Sequence, residues 1–345
     1  MFDHKHYIPV LRWKQAEWLA LRDLAASLKA HITPIIEPTP NKFNDYNQNK
    51  AQKMIGELNK NWGSGLIFVD CHLVTDSVQG ILLQDLYSLS VDAGISLNPV
   101  IGLERPDTYQ EIVKDIIAQT NTDAAFRITA DELTGANFRN RIDRLLNDLN
   151  IHPQKGHVII DYGFLQTQAM EFSDIYRCLP HIQNWESLTV LAGAFPLDLT
   201  QFYPAGIYRQ PRYEWLCWQR AILESKGVRK PSFGDYTIQH PNFTEPPARS
   251  NPSASIRYTY EEDWIIMRGE GLRGEDSPGY DQYISNARLL CARDEFCGAG
   301  FSAGDQYISD IAQYQRMTGN PLSWLRAGIN HHLVFVCQQI SGLAD

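Results

Sequence analysis

The chain has 345 residues, 43% hydrophobic and 21% charged, enough for one large core or two small ones. Its formal charge of −9 sets the global field against nucleic acid and anionic membrane surfaces as partners. No apolar run approaches the roughly 20 residues of a membrane span, and the first residues carry no signal-type apolar core; a cytoplasmic protein with no membrane partner is expected.

In chain order, the first strand is Tyr7–Arg12, followed by a helix over Gln15–Lys29 with Trp18, Leu21, Leu24 and Leu28 at helical spacing. The second strand, Ile32–Glu37, is stopped by Pro38, and a helix runs from about Lys50 to Asn61. The third is Leu66–Asp70, with a helix from about Ser77 to Ala93. Strands at Asn98–Leu103, Ala124–Thr129, His157–Tyr162 and Ser187–Ala194 come next. Their helices are Thr108–Ala118, Asn137–Leu149, Ala169–Leu179 and Tyr213–Leu223. Pro231–Thr237 is the eighth strand. Beyond a Pro-rich break, Ile256–Tyr260 and Trp264–Gly269 form a hairpin, and helices follow at Tyr283–Arg293, Gly304–Met317 and Leu322–Ile340.

Short strands that are apolar almost throughout are buried on both faces, as in a parallel sheet. Eight of them alternating with helices predict an α/β fold, a (β/α)8 TIM-type barrel over residues 1–237. Residues 238–345 then add a β-hairpin, a loop and C-terminal helices to the same single domain. Pro231–Thr237 should lie beside Tyr7–Arg12. A doubly wound sheet would carry a glycine turn after its first strand, where this chain has Trp13-Lys14-Gln15. The six cysteines include no C-x-x-C pair and are read as free thiols, with a Cys291–Cys297 bridge left open.

In a barrel the site lies at the C-terminal strand ends, and here apolar strands end on charges. Glu37, Asp70, Asp161 and Asp235 are the catalytic candidates. Lys14, Arg127, Tyr236, Arg257 and Arg268 are the substrate-binding ones, with the two hairpin arginines folding over the mouth to grip an anion. Each residue alone could equally be a helix cap or an ion-pair partner. Arg127, inside an apolar strand, needs a carboxylate, and Asp161 or Glu104 would serve. His331-His332 is no i, i+4 metal pair and is read as structural or as one contact to the mouth. Gly269–Gly274 imitates G-x-G-x-x-G without the βα setting of a dinucleotide site.

Two functions fit this set. One is a hydrolase or lyase acting on a small anion such as a phosphoester. Glu37, Asp70 and Asp161 would work as acid and base or hold a divalent metal, so the cofactor is left open. The other is a non-catalytic partner of another protein, its mouth residues forming a structural network.

Several short motifs carry a family resemblance. They are Tyr7-Ile8-Pro9-Val10-Leu11-Arg12-Trp13-Lys14, Thr33-Pro34-Ile35-Ile36-Glu37, Phe233-Gly234-Asp235-Tyr236, Ile256-Arg257-Tyr258-Thr259, Gly304-Asp305-Gln306-Tyr307-Ile308 and Gly328-Ile329-Asn330-His331-His332. In this order they resemble the "beta protein" family of T-even phages and bacterial genomes, over nearly the whole chain. The resemblance implies a phage- or mobile-element-linked protein with a role in phage–host conflict, of the phage-defence or toxin–antitoxin kind. It supplies no mechanism.

Overall fold

The computed structural model describes residues 2–225, 228–245, 247 and 249–343. Its strands are β1 (Tyr7–Arg12), β2 (Ile35–Glu37), β3 (Ile67–Val69), β4 (Leu97–Ile101), β5 (Ala124–Thr129), β6 (Gly156–Phe164), β7 (Ser187–Gly193), β8 (Gly206–Pro211), β9 (Ser232–Asp235), β10 (Ile256–Tyr260) and β11 (Asp263–Arg268). The helices of the first half are α1 (Gln15–Arg22), α2 (Ala26–Lys29), α3 (Pro40–Phe43), α4 (Gln48–Asn61), α5 (Asp76–Ala93), α6 (Asp107–Thr120), α7 (Ala130–Thr134) and α8 (Phe138–Asp148). Those of the second are α9 (Asp174–Cys178), α10 (Tyr213–Glu224), α11 (Gln282–Cys291), α12 (Ala303–Ala312) and α13 (Pro321–Ser341).

Strands β1 to β7 and β9 close a parallel barrel, with Pro9 of β1 opposite Asp235 of β9. The closing segment therefore lies where expected. Val10, Ile35, Val69, Val100, Ile159 and Val190 are all buried, as parallel strands covered on both faces require. Successive side chains alternate between the faces. Val10, Ile35, Phe68, Val100, Ala125, Ile159 and Leu191 pack inside the barrel, while Leu11, Ile36, Val69, Phe126, Ile160 and Val190 meet the helices. Phe2 closes the lower end, stacked on His6 at 3.9 Å and on His157 at 5.4 Å between ring centroids.

The hairpin is part of a larger unit. β8 joins it as the third strand of an antiparallel sheet ordered β10–β11–β8. This sheet and α11 to α13 enclose a second core around Tyr258, Met267, Tyr283, Ile308 and Trp324. The helix expected over 15–29 is broken after Arg22, where Asp23 turns to accept from Arg326 Nε at 2.6 Å. The helix expected over 169–179 keeps only its last turn, because Arg220 takes the Gln168 carbonyl at 2.7 Å and Phe172 packs on Tyr162. The helix expected to reach Met317 stops at Ala312, before the left-handed Tyr314. Among the described residues all six cysteines are free, and no helix is long and apolar enough to cross a membrane.

Candidate active site

The strand period of two builds the site. Two residues above the inner apolar layer, the same inward parity gives Arg12, Glu37, Asp70, Gly102, Arg127, Asp161, Gly193 and Tyr236. Six polar side chains and two glycines thus make the top layer of the barrel. Both glycines mark close approaches: a Cβ on Gly102 would meet the Arg127 carbonyl at 2.8 Å, and one on Gly193 would meet Pro241 at 2.9 Å.

Arg127 is the centre of this layer. Its Nη1 donates to Glu37 Oε1 at 2.7 Å and to Asp70 Oδ2 at 2.8 Å. Its Nη2 donates to Asp161 Oδ2 at 2.8 Å and to the Tyr236 hydroxyl at 2.7 Å, and Nε donates to Asp161 Oδ2 at 3.0 Å. These bonds use all five N–H donors of the guanidinium. The Tyr236 hydroxyl in turn donates to Asp161 Oδ2 at 2.7 Å. Burial would lower the Arg127 pKa, but Tyr236, Asp161, Glu37 and Asp70 hold it well above the ordinary arginine value. The Asp161 partner was expected; Glu104 instead pairs with Arg141.

Two groups from the strand-end loops complete the shell. Arg105 Nη2 donates to Asp70 Oδ1 at 2.7 Å and keeps its other N–H donors without a partner among the described residues. His72 lies with Nδ1 3.2 Å from Asp70 Oδ1 and Nε2 3.7 Å from Glu37 Oε1. Burial pushes Asp70 up, yet Arg105, with His72 and Arg127, outweighs it and holds the carboxyl well below the usual range. Arg12, 3.7 Å from Glu37 Oε2, adds a third guanidinium. Three carboxylates are thus matched by three guanidiniums.

A cleft of about 790 Å³ opens above this layer, lined by His72, Arg105, Arg127, Asp161 and Tyr236 and roofed by Pro241 to Phe243. The side chains of Glu37 and Asp70 are 1% and 0% exposed, those of Asp161 and His72 11% and 31%. Glu37 and Asp70 therefore act from beneath, while Asp161 and His72 can touch a bound molecule. Glu37, Asp70 and His72 offer ligand atoms within 4.8 Å of one another, a metal-like spacing. They do not fit a cation, because Arg127 bridges the two carboxylates, Arg105 holds the other Asp70 oxygen, and the charge is already balanced.

The other sequence candidates lie elsewhere. Lys14 stands at the rim, 3.7 Å from Glu245 and over the Phe243 ring. Arg257 donates to the Ile238 carbonyl at 2.9 Å, and Arg268 contacts Ser255. Neither lines the cleft, so the hairpin does not fold over the mouth. Asp235 has the opposite parity to Tyr236 and faces outward. It accepts from Tyr7 at 2.5 Å and from His332 Nε2 at 2.8 Å, and Thr259 bonds His332 Nδ1 at 2.8 Å. Burial acts to raise the Asp235 pKa, but His332 and Tyr7 bring it below the usual value; His332 is lowered by burial. The pair is thus carboxylate and neutral imidazole. His331 bonds Asp305 at 2.8 Å and the Thr259 carbonyl at 2.7 Å. Both histidines are structural in this geometry, as expected. His72 was missed by sequence reasoning; its one signal was its place two residues after a strand-ending aspartate.

The model of the Beta protein family matches residues 7–338. That is nearly the whole chain, and the chain belongs to this family. No curated protein matches it. Among solved structures, alanine racemase from Clostridium difficile 630 in complex with cycloserine is similar at 8% identity and a TM-score of 0.31, over 71% of this chain and 53% of that one. The chain thus spans about half the length of that protein.

Proposed function

We propose that this member of the Beta protein family is a cytoplasmic barrel hydrolase or lyase acting on a small anion such as a phosphoester, in phage–host conflict. The observation that carries the chemistry is the convergence of Glu37, Asp70 and Asp161 on Arg127 beneath an open cleft. Hydrolysis and elimination both need a proton taken at one point and delivered at another. His72, beside Asp70, and Asp161, held by Arg127 and Tyr236, are the groups of this polar cluster placed at the cleft to transfer protons. Arg105 receives the anion, since Arg127 has no donor left to offer. The conflict role rests on the family's phage setting alone. The reading of one domain is supported by β8, which comes between β7 and β9 in chain order, and by the packing of α13 on α1.

The alternative is a non-catalytic partner protein, and the saturation of Arg127 favours it: a charge-balanced layer is also what a purely structural network looks like. Small phosphoesters and carboxylates incubated with the purified protein separate the two. Turnover should appear and be lost in Glu37→Gln and in Asp161→Asn, with the fold retained in a cooperative melting curve. Two folded, fully active variants would remove the site assignment, and no turnover across the panel would favour the partner role.

A further inference from the structure

The roof of the cleft differs in character from its floor. Arg12 Nη2 donates to the carbonyls of His240, at 2.8 Å, and Pro241, which anchors the segment carrying Phe243. Lys14 Nζ lies 4.6 Å and the Arg12 guanidinium 5.5 Å from the Phe243 ring centroid, fixing an aromatic side chain that also lines the cleft. Beside it the Asn242 side chain is exposed and free of partners among the described residues. The floor offers Arg105, with unused N–H donors.

The geometry points to a nucleoside monophosphate as the ligand class: phosphate on Arg105, base stacked on Phe243, base edge hydrogen-bonded by the Asn242 amide. This deepens the proposed function and rests on its anion site. An aromatic ring stacks any base through its π-face, and an amide side chain offers a donor and an acceptor side by side. The volume, about 790 Å³, lies within the range of small-ligand sites, about 300–1,000 Å³. Asp76, Glu104 and Glu132 on the rim set the acidic field against di- and triphosphates.

The test is calorimetric titration of the full chain with adenosine and uridine 5′-monophosphates, ribose 5-phosphate and inorganic phosphate. A nucleoside monophosphate should bind on the order of tenfold or more tighter than ribose 5-phosphate. Phe243→Ala and Phe243→Leu should weaken nucleotide binding far more than ribose 5-phosphate binding and so erase that advantage. Arg105→Gln should weaken every phosphoester. Equal affinity for nucleotide and ribose 5-phosphate, or an advantage that survives in both Phe243 variants, would overturn the inference while leaving the anion site standing. Binding of none of the four probes would overturn both.

Discussion

Arg127→Met is the most direct test of the polar layer. It removes five hydrogen bonds and leaves Glu37, Asp70 and Asp161 facing one another with only Arg12, Arg105 and His72 as compensation. Taking one partner from a buried ion cluster costs about 3–5 kcal/mol. An unfolding entropy of about 2.1 cal/mol/K per residue over 345 residues is about 0.7 kcal/mol/K, so the melting temperature should fall by about 4–7 °C. The loss has a pH signature. Without Arg127 the carboxylates repel one another, and acid relieves that repulsion by neutralising charge in the folded chain. The deficit should therefore be largest at pH 8 and smaller at pH 5. Adding Asp161→Asn to the variant removes the one carboxylate left without a guanidinium, since Glu37 keeps Arg12 and Asp70 keeps Arg105, and should recover much of the stability. Differential scanning calorimetry at both pH values measures all three chains. An Arg127→Met chain within about 1 kcal/mol of wild type at pH 8, or a deficit identical at pH 5, would refute the reasoning.

Burial, with neighbouring positive groups, lowers His6 and His157 from 6.5 to about 4, so both fold as neutral rings. Below pH 6.5 the unfolded chain binds protons that the folded chain does not, so stability is full above 6.5 and declines as pH falls towards 4. The decline is on the order of 3 kcal/mol per histidine; urea midpoints at pH 7, 6 and 5 should fall in sequence, and His157→Asn should flatten the trend. Ile159→Asp puts an unpaired charge inside the barrel and should cost about 3–5 kcal/mol by urea unfolding; an unchanged midpoint would contradict its inward placement. His332→Ala strips the ionised Asp235 of its imidazole donor and should cost about 3 kcal/mol. A melting curve that does not move would show that Asp235 draws its support from Tyr7 and Thr237.

The barrel was legible because its strands are apolar on both faces, and a charge at the end of such a run stands out. Glu37, Asp70 and Asp161 stand out in that way, and Arg127 as a charge inside such a run. What strand ends alone do not reveal is parity. Asp235 and Tyr236 are neighbours at one strand end, yet only Tyr236 shares the inward face of Gly234. Arg12, two residues after the inward Val10, has the right parity, but at the terminus of a strand it does not stand out from an ordinary end residue. His72 and Arg105 sit in loops, where no period exists to place them. β8 escaped notice because an edge strand exposed to solvent has no apolar run, and Pro211 at its end reads as a break. The side on which the hairpin packs depends on the second core, whose residues are scattered over residues 254–324.

Parity also explains why the chain's most distinctive motifs divide between two places. Phe233-Gly234-Asp235-Tyr236 belongs to both. Tyr236 completes the shell of Arg127 inside the barrel. Asp235, one residue earlier, enters a buried chain on the outer face that runs through His332 and Thr259 to His331, Asp305 and Tyr258. The motif residues of β10, α12 and α13 are thus spent on fastening the C-terminal unit to β9. A buried chain in which each polar group has a partner holds a single geometry, because any slip strands a desolvated donor or acceptor. The strand so held is the one whose next residue, Tyr236, meets Arg127 and Asp161. The C-terminal unit need not reach the cleft to matter there: it sets the position of the strand from which the last member of the polar layer projects.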